Sequence, residues 1–146
     1  VAEAARKRYR GRRFTLSFAE DPQIIEVDPM LIQQLLLNYI DNADKYSPPD
    51  TPIELSARMD HGELRLIVQD HGVGVEAGTD KRIFEKFFRG ESTGDRARGS
   101  GLGLYICATI ARAHGGTAFV ESAEGGGSRF GVTLPVIGTD REEMRG

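Results

Sequence analysis

Asn38, Asn42 and Lys45 recur at i, i+4 and i+7, a spacing that sets two amides and an ammonium along one line of a helix. Amide oxygens are hard ligands that suit Mg²⁺, a cation that keeps waters and phosphate oxygens in its shell and asks few atoms of the protein. The spacing alone favours a solvated polar face over a ligand set. Asp70-His71-Gly72-Val73-Gly74 follows a strand-like run, so an acid stands at a strand end, with glycines where the backbone must turn sharply or approach a ligand. Gly99-Ser100-Gly101-Leu102-Gly103-Leu104 opens a helix-like run, and glycine-rich backbone at a helix N-terminus is a ready anion cradle. No Lys-Ser/Thr pair follows and no strand leads in, which excludes a Walker loop and a dinucleotide fingerprint. Between the glycine clusters, Ile83-Phe84-Glu85-Lys86-Phe87-Phe88-Arg89 reads as core. The polar stretch after it carries Arg96 and Arg98. An arginine-bearing segment beside an anion cradle has the makings of a lid that closes over phosphates.

These residues need elements to position them. Asp28 stands at an N-cap position with Pro29 behind it, which predicts a helix running to about Tyr46 and stopped by Ser47-Pro48-Pro49. On that helix Ile32, Leu36, Tyr39, Ile40 and Ala43 share the face expected to pack on a sheet. Ile53 to Met59 and Glu63 to Asp70 alternate as strands across Asp60-His61-Gly62. Thr117 to Ala123 and Arg129 to Leu134 do so across Gly125-Gly126-Gly127. Lys81 to Arg89 reads as a short helix, and Leu102 to His114 as a longer one ended by Gly115-Gly116. Arg13 to Ala19 is a short strand with Ile24 to Val27 as its expected hairpin partner over Asp21-Pro22. The polar tail from Gly138 is expected to fray. Strands and helices without strict alternation predict an α+β fold, a two-layer sandwich of helices on one face of a mixed sheet.

At 146 residues, 39% apolar and 28% charged, the chain has the composition of an ordinary single domain, which excludes a disordered tail or a fibre. No window approaches the roughly 18 apolar residues of a membrane span, and the N-terminus does not read as a secretion signal. The lone Cys107 cannot form an internal disulfide, and a reducing, cytoplasmic setting fits it. The net charge of -3 hides six bases, Arg6, Lys7, Arg8, Arg10, Arg12 and Arg13, among the first thirteen residues. This arm reads as the solvated end of a helix rather than as a nucleic-acid contact. The 18 glycines concentrate in the two clusters and the last hairpin turn.

In this order the pieces resemble the catalytic and ATP-binding domain of bacterial sensor histidine kinases, within the wider gyrase, chaperone and mismatch-repair ATPase superfamily (the Bergerat fold). Asn38 to Ser47 resembles the family's N box, Asp70 to Gly74 its first glycine box, Ile83 to Arg89 its F box, and Gly99 to Leu104 its second glycine box, with Gly115-Gly116, Glu121-Ser122, Gly127 to Phe130 and Leu134-Pro135 resembling the closing strands. The resemblance implies that residues 14–136 form the ATP-binding domain, that 1–13 end a connecting helix and linker from a dimerisation domain, and that 137–146 are a tail. It implies Mg²⁺ on Asn42 with Asn38 in support, Lys45 and Tyr46 toward the phosphates and ribose, and Asp70 accepting from the adenine amine. Gly72 and Gly74 would let the backbone pass the base. Phe88, Ser100, Leu102 and Leu104 are implied nucleotide contacts. Gly99, Gly101 and Gly103 would hinge a mobile lid, while Arg89, Arg96 or Arg98 would screen the γ-phosphate; spacing does not choose among them.

The superfamily's hydrolytic members carry a glutamate where this chain has Asn38, which cannot act as a base. That favours phosphoryl transfer over hydrolysis, with Asn38, Asn42, Lys45 and Arg89 as the implied catalytic set and ATP and Mg²⁺ as cofactors. None of His61, His71 or His114 has the setting of a phosphoacceptor. The acceptor would therefore be a histidine on a separate dimerisation domain of the same parent protein, and a response regulator receiver domain would follow in the relay. The fragment itself is expected to touch neither nucleic acid nor membrane, whether or not the parent is anchored in the inner membrane. A related serine kinase acting on an anti-sigma antagonist and a non-catalytic nucleotide sensor stand as alternatives.

Overall fold

The computed structural model describes residues 2–9, 11–18, 23–74, 82–85, 102–136 and 138–139. The helix expected from Asp28 forms as α2 (Pro29–Tyr46). Asp28 Oδ1 accepts from the N–H groups of Met30 at 3.0 Å and Leu31 at 3.3 Å, satisfying donors that every helix start leaves open. At the other end the Ser47 hydroxyl donates to Ala43 O at 2.6 Å, and the two prolines forbid further turns.

Sheet order is β1-β3-β4-β6-β5, comprising β1 (Phe14–Phe18), β3 (Ile53–Asp60), β4 (Glu63–Gln69), β5 (Thr117–Ser122) and β6 (Ser128–Pro135). The β3–β4 turn has positive φ at both His61 (51°) and Gly62 (79°), the signature of a type I′ turn whose twist matches the flanking strands. The hairpin expected over Asp21-Pro22 does not form. β1 instead pairs parallel with β3, Phe14 opposite Ile53, while β2 (Gln23–Ile24) pairs antiparallel with β7 (Gly138–Thr139). The long α2 between β1 and β3 supplies the crossover that parallel strands require. Gly138 and Thr139, read from the sequence as the start of a fraying tail, are thus paired.

α2 and α3 (Gly103–Ala113) lie side by side against this sheet. Leu35, Tyr39 and Ile40 of α2 are fully buried with Ile53, Val68, Val132, Leu134 and Cys107. Leu35 takes the place expected for Leu36, which is only half-buried, because α3 covers that side of the helix: the Cys107 thiol reaches Leu35 O at 3.5 Å. The buried Tyr39 hydroxyl donates to Gly131 O at 2.8 Å, pinning helix to sheet, and its ring tilts against Phe130 at 5.5 Å. His114 joins the far ends of the helices: Nδ1 donates to Ile110 O at 2.8 Å and Nε2 accepts from Asp28 N–H at 3.0 Å.

The basic N-terminus is not a uniformly solvated arm. In α1 (Ala2–Arg8) Ala5 is fully buried in the core, and the Arg12 side chain is 5% exposed. The Arg12 guanidinium meets Asp44 Oδ1 at 2.9 Å and donates to the carbonyls of Pro48 at 2.6 Å and Thr51 at 2.8 Å. It therefore gathers the end of α2 and the loop leading to β3 around one planar donor fork. Truncating it leaves a partly buried carboxylate and several carbonyls without their donor. Arg12→Ala is expected to lower stability by about 2–3 kcal/mol, measured by urea denaturation, and Arg12→Lys to recover only part of the loss because one ammonium cannot span the same acceptors.

Candidate functional site

Asp70 follows the last residue of β4 and is buried, 3% exposed. Its Oδ1 accepts from Gly72 N–H at 2.9 Å and from Ser128 N–H at 3.1 Å, and its own N–H donates to Ser128 O at 2.9 Å. Both side-chain bonds end on Oδ1, so among the described residues Oδ2 takes none. Burial pushes the carboxyl above its ordinary range, and the Gly72 and Ser128 amides pull it partly back. A carboxylate with one oxygen held by the backbone keeps acceptor capacity on the other.

Two glycines make this placement possible. A Cβ on Gly72 would strike Tyr46 O, and one on Gly127, whose φ is +94°, would strike Asp70 O. Gly72 thus brings the loop after β4 against the end of α2, and Gly127 brings the β5–β6 turn against Asp70. The close approach expected of Gly72 toward a ligand is in this structure an approach of backbone to backbone. Gly74 has a φ of +83°, a left-handed turn for which glycine is the low-cost choice.

On α2, Asn38 and Asn42 are half-buried and Lys45 is exposed. Burial pushes the ionisation of the Cys107 thiol up to about 12. Lys45 Nζ lies 3.1 Å from Asp41 Oδ2. Tyr46 is half-buried at the helix end. α3 starts at Gly103 after Leu102, with no side-chain hydrogen bond capping it, so its first N–H groups keep the anion-binding capacity of an uncapped helix start. Leu104 packs against the core cluster. Phe88, Arg89, Arg96, Arg98, Gly99, Ser100 and Gly101 lie outside the described residues, and the expected lid with them. Among the described residues, no three His, Cys, Asp or Glu side chains gather as a metal cluster.

Sequence reasoning missed Ser128 and Gly127 as supports of Asp70. Their signal was the glycine triplet before β6, which reads as a turn and discloses nothing of its contact with a residue 58 positions earlier. It also missed Tyr9, whose hydroxyl donates to Asp41 Oδ1 at 2.9 Å.

Residues 27–137 match the family described as histidine kinase-, DNA gyrase B- and HSP90-like ATPases. The sensor protein KdpD of Clostridium acetobutylicum is 33% identical over 139 residues, covering 92% of this chain and 15% of that protein. Among solved structures, the mycobacterial sensor histidine kinase MprB superposes with a TM-score of 0.79 at 29% identity, over 94% of this chain and 91% of that one. Full-length ShkA in complex with AMPPNP gives a TM-score of 0.75 at 28% identity, over 93% of this chain and 27% of that one. The chain thus spans only a small part of the curated relative's length.

Because burial raises the Asp70 carboxyl, its contribution to stability is complete below the ordinary aspartate range and is lost as pH rises through the raised value. Asp70→Asn keeps an oxygen for the two backbone donors and removes the buried charge. The variant is expected to be at least as stable as the parent at pH 8, with its advantage shrinking toward pH 3. Thermal unfolding across that range checks the sign.

Proposed function

Since the chain belongs to the histidine kinase-, DNA gyrase B- and HSP90-like ATPase family, we propose that it binds Mg-ATP and positions the γ-phosphate for transfer to a histidine on a separate dimerisation domain of the same parent protein. A response regulator receiver domain is the next acceptor in this reading. The observation that carries it is Asp70, buried with Oδ1 tied to Gly72 and Ser128 and Oδ2 without a partner among the described residues. That oxygen suits the adenine exocyclic amine and disfavours guanine, whose carbonyl stands at the same place. The solved complex of ShkA with AMPPNP is in keeping with a nucleotide at such a site.

Asn42, one turn beyond Asn38 on α2, offers an amide oxygen to Mg²⁺, with phosphate oxygens completing the shell. The cation, when bound, neutralises charge on the transferring group. Lys45 reaches toward the phosphates, and the uncapped start of α3 at Gly103 presents backbone donors to them. Arg89, Arg96 and Arg98 belong to the same reading as lid donors. The Asn38 side chain is an amide and cannot take a proton from water. The nearby acid Asp41 is engaged by Tyr9 and Lys45. Neither residue is a hydrolytic base, and the chemistry reduces to holding the phosphoryl group in line and stabilising its charge. Among the described residues no helix is long and apolar enough to cross a membrane; an inner-membrane anchor would belong to another part of the parent.

Calorimetric titration with AMPPNP and Mg²⁺ tests binding, and the absence of saturable heat from folded protein would end this reading. Asp70→Asn is expected to weaken the nucleotide about 10- to 100-fold, the worth of one hydrogen bond to a charged acceptor, while the fold is retained. Mixing the chain with its separately produced histidine domain and ATP is expected to yield acid-labile phosphoprotein; none would exclude the transfer step.

A further inference from the structure

Asp41 lies between two partners that belong to different parts of the chain. Its Oδ1 accepts from the Tyr9 hydroxyl at 2.9 Å across 32 residues, and its Oδ2 pairs with Lys45 Nζ at 3.1 Å one turn along α2. An isolated i,i+4 ion pair on a half-exposed helix face contributes a few tenths of a kcal/mol and leaves both side chains free to wander. The Tyr9 bond changes this, because it fixes the carboxylate from outside the helix. Tyr9 is itself held on both sides. Its N–H donates to Ala5 O at 2.8 Å, where Ala5 is fully buried, and its carbonyl accepts from Arg12 N–H at 3.2 Å. Burial and the neighbouring Asp41 carboxylate push the Tyr9 phenol well above its usual range, so the hydroxyl remains a donor throughout the physiological pH range.

We infer that Tyr9 and Asp41 are positioning residues for Lys45, so that the docked N-terminal segment sets how well the ammonium is aimed at the nucleotide phosphates. The inference rests on the reading of Lys45 as a phosphate contact. With both carboxylate oxygens committed, Lys45 is drawn to one direction before the ligand arrives, and less rotamer freedom is lost on binding. Without the Tyr9 bond, Asp41 turns freely and takes Lys45 with it. Adenine recognition at Asp70 stands on other elements and is left untouched. A shift of residues 2–12 relative to α2 would thereby be felt at the phosphate end of the site and not at the base.

Tyr9→Phe removes the donor and keeps the ring that packs against the core. In calorimetric titrations of the 146-residue chain with Mg²⁺-AMPPNP and with adenosine, the variant is expected to lose about three- to tenfold in AMPPNP affinity and nothing in adenosine affinity. The AMPPNP loss should vanish when Tyr9→Phe is made in a Lys45→Met background, since coupled residues are non-additive. Unchanged AMPPNP affinity, an equal loss for both ligands, or a loss that persists without Lys45 would each overturn the positioning role while leaving ATP binding intact. If the parent chain fails to bind AMPPNP at all, the nucleotide reading falls, and this inference with it.

Discussion

A buried carboxylate organises the site. Asp70 is taken out of water at the end of β4 with the Gly72 and Ser128 amides on Oδ1, a burial that costs free energy and raises its proton affinity. The arrangement is tolerable because two pieces of backbone close around it, the loop after β4 and the β5–β6 turn. The loop carrying Gly72 lies against Tyr46 O, the turn carrying Gly127 lies against Asp70 O, and Ser128 bonds both its side chain and its main chain. The approaches at Gly72 and Gly127 are closer than a Cβ permits. Sheet and α2 are thus locked at the place where the base is proposed to bind, and the remaining acceptor oxygen is oriented before a ligand arrives, which lowers the ordering cost of binding.

The other end of the proposed site is organised by side chains. Arg12 ties Asp44 to the carbonyls of Pro48 and Thr51, and Tyr9 ties Asp41. The last turns of α2 therefore carry two acidic residues engaged with the N-terminal segment, on the same helix as the two asparagines and the lysine. The proposed adenine end is built on backbone contacts, whereas the proposed phosphate end is built on long side chains that would respond to displacement of the segment that holds them. Tyr39 fastens α2 to Gly131 of β6, so this response need not loosen the helix from its sheet.

Most of the fold was legible because its signals are local. Asp28-Pro29 and Ser47-Pro48-Pro49 bound α2, and paired turn residues with alternating neighbours announce the β3–β4 and β5–β6 hairpins. The failures are pairings at a distance. β1 has the alternation of a hairpin strand, yet its partner is β3 in parallel, and β2 pairs with β7 near the other end of the chain. Alternation specifies that a strand has two faces and is silent about which edge it joins. Similarly, the helical wheel selects Leu36 for the core, but α3 packs beside α2 and buries Leu35.

By itself the sequence determined which residue types could act and in what order they occur: the asparagines and lysine of α2, the acid and glycines after β4, the glycines before α3. It also determined the family, since ordered motifs are a property of the chain. Only the tertiary structure decided that Asp70 is buried with the Gly72 and Ser128 amides on Oδ1, and that a basic N-terminus supplies a buried arginine and a tyrosine to α2. These are matters of burial and of contact between residues tens of positions apart. They depend on which surfaces lose water together, and no local pattern in the chain records that.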